Sequence, residues 1–471
     1  MNKNKILIKN TFILGIGQFV PKIISIIILP ILTYYLTTSD YGIYDLIISF
    51  SNLVIPLFTL MIQQAVFRYL IETDDIKLQS KYITNTYITV FFFSIIWLVI
   101  SIIYLFIFHG NFSLTLIIFL LYFFQSIYDV NCQIVRGFGK NKEYSFSIIV
   151  YSISNLISLF ILIFFQCINV LNIVVILGLS YIISFLYLFF KVKIHKFINY
   201  SHVNFSCIKK LLNYSIPMIP SSISLWVVNL SDRLIITKCI GSSMNGLYAA
   251  ANKVPNLFGT AYSIFNLAWT ELAARTIKEK NSVDYYSKLF HNLYCFLIGT
   301  LLVLITFSPI LFHLLINNKF ADGYWQMPIL FLGVFFSSLV SFYGGIYVAL
   351  EKTKSVGISS LIGALLNFGI NIVCINSIGL YAASISTFVS FLIIFLYRYY
   401  NLKRYIDIKY NFKEIFIGIM FLSIVIALFY SNKLITFVLS AIISIVYNLK
   451  FNKIILYMFN KIVGMIKNEK I

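Results

Sequence analysis

A chain of 471 residues would ordinarily divide into about three soluble domains. Here, however, 60% of residues are hydrophobic and only 11% charged, against about 25% charged in soluble proteins, so a water-soluble globule is excluded. The formal charge of +20 would point to nucleic acid in a soluble domain. In this chain the basic residues fall in short connections beside apolar stretches, where they anchor against anionic lipid, and nucleic-acid binding is set aside.

Apolar stretches of about 20 residues, long enough to cross roughly 30 Å of hydrocarbon as helices, recur along the whole chain. A β-barrel would alternate in polarity over segments of about ten residues, whereas 116–124 is apolar throughout. The fold class expected is all-α integral membrane. Lys3, Lys5 and Lys9 precede an apolar run that continues to Tyr35, far longer than a signal core and followed by no small-residue cleavage site, so it reads as a retained first span. Fourteen spans follow in order, near 11–36, 43–66, 84–108, 112–134, 145–166, 170–190, 211–240, 246–270, 288–316, 325–350, 355–376, 378–400, 414–431 and 433–449.

Lys and Arg concentrate in cytoplasmic loops, which tests the count. With the N-terminus inside, thirty of the 36 basic residues fall in the eight cytoplasmic segments, Arg398 among them, and two, Lys319 and Lys433, fall outside. Both termini are therefore expected in the cytoplasm. The domains expected are a six-helix bundle over 1–200, a second over 201–405, and two further helices with a basic cytoplasmic tail over 406–471.

The two bundles read as a parallel repeat, a common transporter plan. At an offset of 204, Thr38-Ser39, Gly42 and Tyr44 meet Ser242-Ser243, Gly246 and Tyr248. At 212, Lys140, Lys142, Ser147 and Asn155 meet Lys352, Lys354, Ser359 and Asn367. Pro21, Pro30 and Pro56 interrupt the first two spans, and Pro217, Pro220 and Pro255 the seventh and eighth. Interrupted helices at matching places in two halves point to a substrate site.

A charge in hydrocarbon costs at least about 2.5–3.5 kcal/mol and must face protein or water. Four basic residues remain inside spans: Lys22, Arg233, Lys238 and Lys253. Such cations suit an anionic head group, Arg especially because its planar fork of donors matches phosphate. Lys238, close to the outer end, is equally placed to snorkel to the surface. Asp232, Asp129 and Glu271 are the acids retained once Asp45 and Glu414 are put aside as rim positions. They are candidates to bind a coupling proton or Na⁺, or else to neutralise a lysine. The six cysteines occur singly with no CxxC pair, and the five histidines are dispersed, so the cysteines read as small buried residues. Neither a metal nor a cofactor motif is expected. A GxxxxGK phosphate loop, GxSxG and HExxH are all absent, Gly15-Ile16-Gly17 lacks a third glycine, and no connection has room for a soluble catalytic domain. An enzyme is not expected.

The stretch Tyr214-Ser215-Ile216-Pro217-Met218-Ile219-Pro220, then Trp226, then Ser231-Asp232-Arg233-Leu234-Ile235-Ile236, then Gly246-Leu247-Tyr248, resembles the polysaccharide-exporter branch of the multidrug, oligosaccharidyl-lipid and polysaccharide exporter superfamily. Asp40-Tyr41-Gly42-Ile43-Tyr44 resembles its first-half counterpart. The resemblance spans roughly 5–400. It implies two six-helix bundles around a cavity, often with two extra helices, in the bacterial cytoplasmic membrane. It also implies a flippase for undecaprenyl-diphosphate-linked oligosaccharide, serving O-antigen or capsule synthesis alongside membrane lipids and a polysaccharide polymerase. A peptidoglycan-precursor flippase or another exporter is the alternative within the superfamily. A membrane glycosyltransferase or polymerase is the alternative from another class, and would need large acid-bearing loops.

Overall fold

The computed structural model describes residues 3–108, 111–277, 279, 281–350, 352–431 and 433–452. The basic tail expected beyond 452 therefore lies outside the described residues. Among the described residues there is no strand, and the helices are α1 Lys3–Tyr35, α2 Thr38–Phe58, α3 Ile62–Ile71, α4 Ile76–Phe108, α5 Phe112–Gly137, α6 Asn141–Phe164, α7 Val170–Lys191, α8 Phe205–Ser215 and α9 Ile219–Cys239. They continue as α10 Ser242–Thr276, α11 Ser282–Leu315, α12 Met327–Ala349, α13 Thr353–Ile378, α14 Tyr381–Leu402, α15 Phe412–Ser431 and α16 Leu434–Phe451. Eleven helices among the described residues are long and apolar enough to cross a membrane, and the protein is a multi-pass membrane protein. Every expected span has a helix at its place; α9 and α10 are the polar ones, through residues such as Ser231, Asp232, Arg233, Asn245 and Lys253.

Two expected spans are interrupted. The stretch 43–66 is broken: α2 ends at Phe58, Leu60 and Met61 take left-handed φ values of 49° and 54°, and α3 starts at Ile62. Thr59 makes the break, because its hydroxyl donates to Ile55 O at 2.9 Å and accepts from Met61 N at 3.2 Å. Met61 N also reaches Pro56 O at 3.2 Å, so carbonyls left open by the helix end are satisfied locally. The second difference is at 211–240, where the helix starts only at Ile219. Residues Phe205–Ser215 form α8, an amphipathic helix carrying Lys209, Lys210 and Asn213, capped by the Asn204 side chain accepting from Cys207 N at 3.1 Å. A 3₁₀ turn over Ile216–Met218, with Pro217 inside it, separates the two.

The chain divides into two compact units, Met1–Leu234 and Ile235–Ile471, with the boundary inside α9. In the first, α5 packs on α3, α4 and α7, α6 packs on α1 and α7, and α8 covers α3 and α4. Its core gathers Ile62, Ile83, Val130, Ile134, Leu188 and Ile194. Gly17 lets α1 approach α6, since a Cβ there would lie 2.6 Å from that of Ser145. The connection after α7 is fastened to α4: Ser80 Oγ donates to Phe197 O at 2.7 Å, Asn85 Nδ2 to His202 O at 3.0 Å, and Asn204 N to Asn85 Oδ1 at 2.9 Å.

The second unit repeats several of these pairings. There α12 packs on α10, α11 and α14, and α13 packs on α14, as α5 does on α3, α4 and α7 and α6 on α7. The matched serines agree in detail. Ser147 and Ser359 are fully buried, and each hydroxyl returns to the carbonyl three residues back, Tyr144 O at 2.7 Å and Val356 O at 2.9 Å. Trp269 centres the core, stacked on Phe342 at 4.5 Å and donating to its carbonyl at 2.8 Å. The additional helices α15 and α16 pack on each other and on α11. Polar side chains fasten them, as is usual between membrane helices: Tyr294 OH donates to Ile415 O at 2.9 Å, and Asn448 Nδ2 to Gly299 O at 3.1 Å.

Candidate functional site

In the first unit, α2 and α9 present matching faces. Asp45 and Ser49 lie four residues apart on α2, and Trp226 and Arg233 lie seven apart on α9, so each pair sits on one side of its helix. Trp226 Nε1 donates to Ser49 O at 3.0 Å, and its ring lies 5.8 Å from that of Phe50. Arg233 Nε donates to Asp45 Oδ2 at 2.5 Å. Both members of this ion pair are buried, at 6% and 4% exposure, where a guanidinium and a carboxylate are tolerated only together. Asp45, expected at the membrane rim, is thus a core residue of α2. A span begun at 43 holds Asp45 in its first turn, whereas Thr37 caps a helix running from Thr38 and places Asp45 two turns inside it.

Tyrosines surround the pair. Tyr41 is buried within electrostatic reach of both Asp45 and Arg233, and Tyr44 within reach of Asp45 and Tyr151. Tyr151 stacks on Tyr181 at 4.5 Å, and both are near Asp129, which is half-buried on α5. Tyr128 completes the cluster, 5.6 Å from the Tyr181 ring and 3.2 Å from Ser147 Oγ through its hydroxyl. Tyr128, Tyr151 and Tyr181 thus form one cluster of phenols on α5, α6 and α7, within electrostatic reach of Asp129 and of Tyr44 on α2.

The remaining candidates are placed as follows. Asp232 is buried beside Arg233 on α9. Lys22 is exposed on α1, in the same unit. Lys253, half-buried on α10, and Lys238, exposed in the last turn of α9, belong to the second unit. Glu271 lies on α10, and its side chain is outside the described residues.

The second unit holds a buried cation that sequence counting had assigned to a cytoplasmic connection. Arg398 on α14 is 3% exposed and donates to Val340 O at 2.7 Å, Ser359 Oγ at 3.0 Å and Ser360 Oγ at 3.3 Å. It ties α14 to α12 and α13 through neutral acceptors. Its position two residues inside the expected end of the 378–400 span is the signal that would have found it. Between α10 and α11 lies an apolar cavity of about 440 Å³, lined by Phe258, Tyr262, Phe265, Leu293, Phe296 and Leu297 among others.

Comparison with known proteins agrees with this architecture. No curated protein matches the sequence. Among solved structures, the fold is similar to a lipid II flippase MurJ in an inward closed conformation, at 15% identity and TM-score 0.72, covering 95% of this chain and 99% of that one. It is also similar to an inward-facing multidrug resistance MATE family transporter of the MOP superfamily, at 12% identity and TM-score 0.62, covering 84% of this chain and 95% of that one. An outward-facing MATE structure matches at 13% identity and TM-score 0.58, covering 85% and 96%. Residues 7–269, more than half of the chain, match the family described as "Polysaccharide biosynthesis protein". The chain belongs to that family.

Proposed function

We propose that this protein flips an undecaprenyl-diphosphate-linked oligosaccharide from the inner to the outer leaflet of a bacterial cytoplasmic membrane, for a surface polysaccharide such as O-antigen or capsule. The observation carrying this reading is the buried Arg233–Asp45 pair, kept inside the membrane-spanning unit of a polysaccharide biosynthesis family member. An apolar pair of the same shape would hold two helices at least as well, so retained charge at this depth favours a functional role. Arg233 offers five donors, of which Asp45 engages Nε, and a diphosphate competes for the same fork. Lys22, Lys238 and Lys253 are assigned the same diphosphate-binding role. The cavity lined by Phe258, Phe265 and Phe296 suits the apolar tail of a lipid-linked substrate.

Transport in this reading is secondary, coupled to a proton or Na⁺, with Asp45 joining Asp232, Asp129 and Glu271 as carboxylates that take up the ion. A proton on Asp45 releases Arg233 for the anion. The polysaccharide polymerase is assigned as the partner that receives the flipped unit. The test is reconstitution in vesicles carrying undecaprenyl-diphosphate oligosaccharide, with outward movement followed by lectin or periodate access. Flipping is expected to collapse when the proton and Na⁺ gradients are dissipated; flipping that persists without gradients on ATP alone contradicts it. The fold similarity to a lipid II flippase favours a second reading, a peptidoglycan-precursor flippase. Rescue of cells depleted of their lipid II flippase, without rescue of a surface-polysaccharide flippase mutant, would select it.

A further inference from the structure

Three metal-ligating side chains meet within the second unit, on helices other than the one that carries Arg233. His291 and Cys295 lie four residues apart on α11 and so share a face, and Glu414 is in the first turn of α15. His291 Nε2 and Glu414 Oε2 are 3.0 Å apart, Cys295 Sγ and Glu414 Oε2 3.8 Å, and Cys295 Sγ and His291 Nε2 3.9 Å. Among the described residues this is the one cluster of three such groups with converging ligand atoms.

The triangle has the dimensions of one face of a zinc tetrahedron. With Zn–S about 2.3 Å and Zn–N and Zn–O about 2.0–2.1 Å, tetrahedral angles separate S from N by about 3.5 Å, S from O by about 3.5 Å and N from O by about 3.3 Å. Each observed edge is within about 0.4 Å of these values, so closure needs only small rotations of the side chains. The donor set, one thiolate, one imidazole and one carboxylate, is borderline-soft and belongs to zinc rather than to calcium or magnesium. Zn²⁺ with a thiolate and a carboxylate is neutral, which suits groups whose exposure runs from 2% at Cys295 to 26% and 28% at His291 and Glu414.

Two neighbours prepare the site. Asn411 Nδ2 donates to Glu414 Oε1 at 2.8 Å, which fixes the carboxylate and leaves Oε2 turned to His291 and Cys295, as an outer-shell partner does at metal centres. On the other side the Tyr447 hydroxyl of α16 lies close to Cys295. It is buried, and it makes no geometrically satisfactory hydrogen bond among the described residues. Gly418 gives it room, since a Cβ at that position would stand 3.2 Å from this hydroxyl and 3.0 Å from that of Tyr294.

We propose that His291, Cys295 and Glu414 form a zinc site that clasps α15 to α11 and so anchors the additional helix pair. On binding, the Cys295 thiol releases its proton to solvent and its sulfur joins the metal, with no change of oxidation state. The test uses the full chain in nanodiscs after treatment with chelator, titrated with Co²⁺. One equivalent is expected to bind, giving a thiolate-to-cobalt charge-transfer band that Zn²⁺ bleaches. Cys295→Ser should abolish the band, and His291→Ala or Glu414→Gln should weaken binding at least about tenfold, as loss of a ligand exceeds loss of an outer-shell partner. A variant with Cys132, Cys167, Cys207, Cys239 and Cys374 replaced by alanine should keep the band, which separates site loss from misfolding. No charge-transfer band at saturating Co²⁺ in the unaltered protein, or a band that survives Cys295→Ser, overturns the proposal.

Discussion

Arg233 and Asp45 show what a single buried charge requires. Removing one member takes the opposite charge of a buried ion pair from the other, a change that costs up to about 3–5 kcal/mol, a large fraction of a typical stability. Asp45→Ala alone is therefore expected to lower abundance and thermal stability, and Asp45→Ala with Arg233→Leu to restore both without restoring flipping. Size-exclusion profiles and vesicle transport check the two halves separately; recovered transport in the double variant would reduce the pair to a structural tie. Arg233→Lys keeps the charge but loses the fork, so it should fold and transport partially. Arg233 was legible in the sequence because an arginine amid apolar residues has few explanations. Its partner was not, because Asp45 stands near the start of its span, and a shift of a few residues in a helix start turns a core acid into a rim one. Arg398 escaped for the same reason at the other end of a span. The His291, Cys295 and Glu414 cluster was invisible for a different reason: 119 residues separate Cys295 from Glu414, and only packing of α15 on α11 unites them.

At the scale of the helix, local chemistry overrides hydropathy. The stretch from 43 to 66 is apolar enough to read as one span, and no glycine marks a stop; proline stands only at 56. The break comes instead from Thr59 satisfying backbone groups, with Leu60 and Met61 accepting the left-handed region. That region costs a non-glycine residue roughly 1–2 kcal/mol, and β-branched residues tolerate it worst. Met61→Ile should therefore lower the melting temperature, while Met61→Gly should leave it unchanged or raise it. Equal behaviour of the two variants would mean that the helix runs through Met61. Helix type and approximate place were readable from apolar length alone. Proline marked the interruptions beside Pro56 and Pro217, whereas Pro21, Pro30 and Pro255, expected to interrupt their spans, lie inside unbroken helices, since a membrane helix can carry a proline without stopping.

For the whole molecule, the repeat explains why so much followed from sequence. Weak identities at two offsets fall on equivalent pairings in the two units, with Ser147 and Ser359 buried and bonded alike. Orientation in the membrane rests on a different force, the retention of Lys and Arg on the cytoplasmic side, and it has its own test. Alternation of basic and nearly uncharged connections holds across all fourteen spans only if none is missed or added, since one error in the middle would invert every later connection. Lys319, exposed in the turn between α11 and α12, is then expected outside, and Ser201, exposed in the connection fastened to α4, inside. On a cysteine-free background, Lys319→Cys should react with a membrane-impermeant maleimide in intact cells. Ser201→Cys should react only after the membrane is opened. Both are surface positions in short 3₁₀ segments, so a difference in labelling reports the side of the membrane and not burial. Labelling of Ser201→Cys alone in intact cells would reverse the topology and place both termini outside.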